Sequence, residues 1–142
     1  MARPRQEDGR VHGVVVACRD GRGRWLCIRR SANVAAPLKV CFPGGAIEQG
    51  ESQESAVIRE MTEELGVKVN PLQCVWKWES PDSDLTLWGW TAEREQTEIS
   101  VDPKEVTEVL WLSSEEVIGH PDAMPTNRSF VGALLKSNDA GL

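Results

Sequence analysis

The chain is 142 residues long, 40% hydrophobic and carries a formal net charge of −6. That length fits one domain with a core of its own, and the acidic balance argues against a polyanion such as DNA as a non-specific partner. No apolar run approaches a membrane span, and Cys18, Cys27, Cys41 and Cys74 show no CxxC pairing, which points away from zinc and disulfides and towards a reducing compartment, the cytoplasm.

The opening MARPRQEDGR lacks the apolar segment of a signal peptide, so residues 1–10 are read as a flexible start. VHGVVVAC (11–18) reads as a buried strand, with RWLCIRR (24–30) as its hairpin partner across RDGRG. A loop with Pro37 leads to CFPGG (41–45). The next segment predicts a helix from about Ser52 to Leu65. Ser52 can cap it, Glu51 and Glu54 sit at the positive end of its dipole, and Gly66 suits the left-handed position that closes it. VKVN (67–70) and CVWKWES (74–80) are short strand candidates, and DLTLWGWTAE (84–93) alternates with period two and pairs back across SPDSD. EVTEVLWL (105–112) is a further strand. SSEEVIG (113–119) starts a short helix on an N-cap serine, and NRSFVGALLKS (127–137) carries Phe130, Val131, Leu134 and Leu135 at helical spacing. Residues 138–142 read as a tail. Strands interspersed with two or three helices predict an α/β sandwich with a mixed sheet, one domain over residues 11–137.

The helix holds the most unusual stretch, REMTEELG (59–66). At about 100° per residue, Glu60, Glu63 and Glu64 share one arc, and Val57, Ile58, Met61 and Leu65 share another. The second arc is a core-facing stripe; the first is a carboxylate ridge. Two carboxylates about 6 Å apart repel by under ~1 kcal/mol in water but by about 3 kcal/mol at an effective dielectric near 20. A solvated ridge tolerates this, whereas a ridge lining a cleft needs a cation. Pro43, Gly44 and Gly45 shape a tight turn upstream, and glycine lets backbone approach a ligand closely. Clustered carboxylates with a carbonyl form a hard-oxygen set suited to Mg²⁺ or Mn²⁺. His12 and His120, the two histidines of the chain, have no Ser or Cys partner nearby in sequence, which leaves a triad mechanism with little support. Trp76 with Trp78, and Trp88 with Trp90, are candidate base-stacking platforms or simply packed aromatics.

Between Gly45 and Val67 the spacing is fixed: Gly45, five residues, Glu51, seven residues, Arg59-Glu60, Met61, then Glu63-Glu64, Gly66 and Val67. Seven specified residues match by chance on the order of 10⁻⁸ per starting point. The stretch matches every fixed position of the Nudix box, and the chain resembles the Nudix hydrolases of MutT-like type. The resemblance implies a Nudix-type α/β/α sandwich. It implies Mg²⁺, with Mn²⁺ as an alternative, at Glu60, Glu63, Glu64 and the Gly44 carbonyl. Arg59 then holds a box glutamate in place, with Glu51 in the same network. The implied reaction is attack of water on the diphosphate of a small nucleotide, a nucleoside triphosphate or a nucleoside diphosphate joined to another group. The base is either a box glutamate or an outside acid, Glu105 or Glu108. Gly44 and Gly45 approach the substrate, Arg29 and Arg30 can reach a phosphate, and family members are often homodimers.

The substrate stays open. IRRSANVAAPLKVCFPGG shares an Arg-Ser element with the coenzyme A diphosphatase subgroup but lacks its intervening Arg and Gly. Pro81 falls near a proline of the ADP-ribose subgroup, and the absence of tyrosine removes the marker of the dinucleoside polyphosphate subgroup. A coenzyme, nucleotide-sugar or ADP-ribose diphosphatase is the alternative enzyme, and a nucleotide-binding domain without turnover is the non-enzymatic one.

Overall fold

A computed structural model describes residues 3–95 and 98–141, with side chains described as far as residue 137. The elements run β1 (Val11–Ala17), β2 (Trp25–Arg30), β3 (Val40–Cys41), β4 (Gly44–Ala46) and α1 (Gln53–Leu65). They continue with β5 (Val69–Glu79), β6 (Leu85–Arg94), β7 (Val106–Leu112), α2 (Ser114–Gly119) and α3 (Asn127–Gly141). The strands form two sheets, ordered β4-β1-β6-β5 and β3-β2-β7. The first is mixed, because β1 runs parallel to β6 and antiparallel to β4.

Burial on both faces of the central strands builds an α/β/α arrangement. On β2, Leu26 and Ile28 join a core with Val57, Met61 and Leu65 of α1. The alternate residues Trp25 and Cys27 join a second core with Val117 of α2 and Phe130, Val131 and Leu134 of α3. Period-two alternation thus feeds two cores from one strand.

The structure corrects several sequence-level expectations. The β1–β2 hairpin closes only at its tip, where Asp20 N–H donates to Arg24 O (2.9 Å) and the Asp20 carboxylate accepts from the Arg22 and Arg24 amides. Beyond the Arg19–Trp25 bridge the strands part into different sheets. Each is buried on both sides, so each takes its own ladder partners. The two short strands expected at 67–70 and 74–80 are one strand, β5, with register shifts at Pro71/Gln73 and Cys74/Trp76. Proline cannot donate to a ladder and is accommodated at such an irregularity on an edge strand. Ile58 and Leu135, assigned to apolar stripes, are 45% and 44% exposed. The segment expected to be loose is tied down from Arg5: Gln6 bonds Ile47 O, Arg10 bonds Thr86 and Leu85 O, and Arg5 pairs with Asp84.

The ends of α1 form as their residues dictate. The Ser52 hydroxyl accepts from Ser55 N–H, and Gly66, at φ 62°, closes the helix with its N–H on the α1 carbonyls. The buried face of α1 is Ala56, Val57, Glu60, Met61, Glu64 and Leu65. Two glutamates therefore lie inside the protein, beside the β4 turn.

Candidate functional site

Arg59 is the hub of the ridge. Its Nε and Nη2 donate to the two Glu51 oxygens at 2.8 and 2.9 Å, a bidentate pair. Nη1 donates to Glu60 Oε1 at 2.9 Å and Glu63 Oε2 at 3.2 Å, and Nη2 also reaches Ala46 O at 2.9 Å. One guanidinium thus joins the box loop to two ridge carboxylates. Glu51 also accepts from Glu48 N–H, which fixes the loop before the helix. The Arg59 hydrogen bonds hold the Glu51 carboxyl below the ordinary range, and Glu51 in turn raises the Arg59 pKa.

Glu60 and Glu64 differ from a solvated ridge. Glu64 is 3% exposed, and its carboxylate accepts a 2.9 Å hydrogen bond from Gly44 N–H. Burial pushes its pKa up to about 8 against the opposing pull of that N–H, and the charges of Glu60 and Glu105 push it further. Burial also raises Glu60, despite the neighbouring Arg59. Among the described residues Glu64 has no ion-pair partner, whereas Glu63 is largely exposed and leans on Arg59.

The glycines before the helix create the room. A Cβ on Gly45 would strike the Glu60 carboxylate, and one on Gly44 would strike the Val14 carbonyl. These clashes predict different outcomes. Gly45→Ala meets the end of a flexible side chain, so it should leave the melting temperature within a few degrees while displacing Glu60 and lowering turnover at least tenfold. Gly44→Ala meets backbone and should cost about 2–3 kcal/mol of stability. Melts and rates on both variants check this; equal stability loss in the two would contradict it.

The remaining sequence candidates separate. Glu105 lies in a turn whose Asp102 N–H donates to Glu64 O at 2.9 Å, and its charge acts on both Glu60 and Glu64. Arg30 reaches this side too, donating to Ala35 O at 2.6 Å and lowering the Glu64 pKa. Arg29 and Glu108 do not join the cluster: Arg29 is held by Glu108 at 3.0 Å and Asp122 at 2.8 Å. Gly44 reaches the ridge through its N–H, which donates to Glu64 Oε1 at 2.9 Å. The tryptophans are packed and hydrogen-bonded: Trp76 stacks on Phe130 and bonds Ser129, Trp88 bonds His12, and Trp90 bonds Gln53.

Among the described residues, no three acidic, imidazole or thiol groups converge closely enough to hold a metal ion as they stand. Glu60 and Glu63 are instead both held on Arg59 Nη1. The donor chemistry still fits a hard dication. Glu60 and Glu64 are both buried, and Glu64 has no ion-pair partner among the described residues to offset its desolvation. A cleft of about 730 Å³ adjoins Glu51, bounded by Arg5, Asp8, His12, Gln53 and Trp88. Sequence reading missed it because residues 1–10 carry no pattern that predicts their docking.

Known proteins share the family and the fold of this chain. The model of the NUDIX domain family matches residues 9–134. The chain is 44% identical over 68 residues to the 8-oxo-dGTP diphosphatase of Escherichia coli K12, covering 46% of this chain and 53% of the relative. It is 40% identical over 75 residues to the NAD-capped RNA hydrolase NudC of Salmonella paratyphi C, covering 51% and 28%. The chain therefore spans about half of the first relative's length and under a third of the second's. The MutT protein of Methanosarcina mazei Go1 superposes with a TM-score of 0.79 over 97% of this chain and 99% of that one, at 22% identity. A UDP-X diphosphatase superposes with a TM-score of 0.72 over 100% and 66%, at 13% identity. Among the described residues, no helix is long and apolar enough to cross a membrane.

Proposed function

We propose, from the premise that this chain belongs to the NUDIX domain family, that it hydrolyses the diphosphate linkage of a small nucleoside diphosphate derivative with Mg²⁺ or Mn²⁺. The observation that carries this reading is Glu64: a carboxylate 3% exposed, beside a second buried glutamate, with no described ion-pair partner. Such a group is costly to keep for folding alone, and a cation brought by the substrate relieves it. The names of the relatives support the substrate class, since 8-oxo-dGTP, NAD-capped RNA and UDP-X all contain a nucleoside diphosphate unit.

Glu60, Glu63 and Glu64 would hold the metal, with Gly44 at the edge of the site. When bound, the ion screens the diphosphate and favours a deprotonated water. Arg59 orients Glu60 and Glu63 while Glu51 locks Arg59. Glu105, exposed and with a charge that acts on Glu60 and Glu64, is the outside acid assigned to accept the proton of the attacking water. Glu108 is engaged by Arg29 and is set aside. Arg30, whose charge acts on Glu64, is the candidate cation for a phosphate. Cytoplasmic residence is supported by the free thiols of all four cysteines, and homodimerisation by family resemblance alone.

A panel of nucleoside triphosphates, nucleotide sugars, ADP-ribose, NADH and coenzyme A, scored by product identity, tests the reading. Cleavage within a diphosphate that needs the metal is the expected result. Metal-dependent binding of a nucleotide with no turnover of any compound would replace the hydrolase by a binding domain.

A further inference from the structure

Glu105, whose charge acts on Glu60 and Glu64, sits on a turn beside the end of α1, and a turn needs something to hold it. Residues 102–106 close on Asp102, whose carbonyl accepts from the Glu105 and Val106 amides at 3.0 and 2.9 Å. The Asp102 carboxylate accepts from Lys104 N–H at 3.0 Å. One side of the turn is fastened to the end of α1, through Asp102 N–H on Glu64 O and Ser100 N–H on Leu65 O. The other side runs into the β2–β7 ladder at the Arg30–Val106 pair, and just beyond that pair Ser31 takes two carbonyls of the turn. Ser31, just past β2 and 2% exposed, donates its N–H to Glu105 O at 2.8 Å and its hydroxyl to Lys104 O at 2.7 Å. The same hydroxyl accepts from Asn33 N–H at 3.2 Å, which fixes its orientation.

A buried hydroxyl with every bond made is a specific device, because an apolar side chain there would leave the Lys104 carbonyl unpaired. Two consecutive carbonyls of the turn end on this one residue. Rotation of the turn away from the ridge must break both bonds. We propose that Ser31 is a positioning residue that holds the 102–106 turn so that the Glu105 carboxylate faces Glu60 and Glu64 for the reaction. This rests on the hydrolase reading given above.

The test compares wild type, Ser31→Ala, Glu105→Gln and the double variant on a nucleotide that the wild type turns over. Ser31→Ala keeps the amide bond to Glu105 and deletes only the hydroxyl. The kcat should fall about tenfold with KM changed less than threefold. In the Glu105→Gln background the same substitution should cost less than twofold, because Ser31 acts through Glu105. Amide exchange of Glu105 and Val106 in the metal-free protein should quicken at least tenfold in Ser31→Ala. If Ser31→Ala does not fold, Asp102→Ala, which deletes the Lys104 amide bond from the exposed side of the turn, should give the same kcat loss and the same coupling. Equal losses in both backgrounds would overturn the proposal, as would unchanged exchange whatever the turnover. Absence of wild-type turnover defeats the hydrolase reading instead, while the exchange measurement still decides whether Ser31 holds the turn.

Discussion

Glu64→Gln should lower turnover at least 10³-fold, about 4 kcal/mol of transition-state stabilisation, and should raise stability. The two effects have one cause. Glu64 is buried against the Gly44 N–H with Glu60 and Glu105 opposing its charge. Burial pushes its pKa in the folded protein up to about 8, above the ordinary glutamate value of 4.5. Between these values the folded protein binds a proton that the unfolded chain has released, so stability falls as pH rises through this window. The metal-free wild type should therefore lose melting temperature from about pH 5 to pH 8. A glutamine keeps an oxygen for the Gly44 N–H and removes the charge, so the variant should lose that slope. The gain at pH 8 should be at least about 2 kcal/mol, roughly 5–10 °C in a chain of this size. Metal binding needs the carboxylate, so affinity should climb over the same pH range in wild type and not in the variant. Melts in EDTA across pH, beside Mn²⁺ calorimetry, separate the contributions. A variant that melts lower at pH 8 would show that Glu64 is structural.

Arg59→Ala should reduce kcat/KM by a hundredfold or more, and Arg59→Lys by at least tenfold, about 1.4 kcal/mol. An exposed i,i+4 pair with Glu63 would be worth a few tenths of a kcal/mol, and lysine would replace it with little loss. The observed arrangement is different. The guanidinium spans Glu51 with two parallel bonds while holding Glu60, Glu63 and Ala46 O. An ammonium cannot reproduce that fork. Losing it frees Glu60, whose half-ångström position at a reacting centre matters more than its binding energy. Rates for the three proteins at saturating Mg²⁺ check this. A lysine variant equal to wild type would reduce Arg59 to a solvated helix charge.

The box residues were legible in sequence because their spacing is local. A helix fixes which of positions 59–66 share a face, and caps at Ser52 and Gly66 fix where the helix lies. What stayed hidden was tertiary. The helical wheel put Glu60 and Glu64 on a polar flank and Ile58 in the core, yet the β4 turn covers the two glutamates and leaves Ile58 outside. Nothing local marks that a glycine turn will pack there. β1 and β2 read as a hairpin because their turn is one; their parting reflects two cores competing for alternate side chains. Ser31 and Asp102 lie about seventy residues apart in the chain, and only folding brings them to one turn.

The most direct test is hydrolysis of a working nucleotide by wild type and Glu64→Gln, each in EDTA and after Mg²⁺ is restored. Turnover should vanish in EDTA, return with Mg²⁺ in wild type, and stay at least 10³-fold lower in Glu64→Gln. Turnover that survives EDTA, or a Glu64→Gln protein as active as wild type, would contradict a metal-dependent hydrolase centred on the buried ridge.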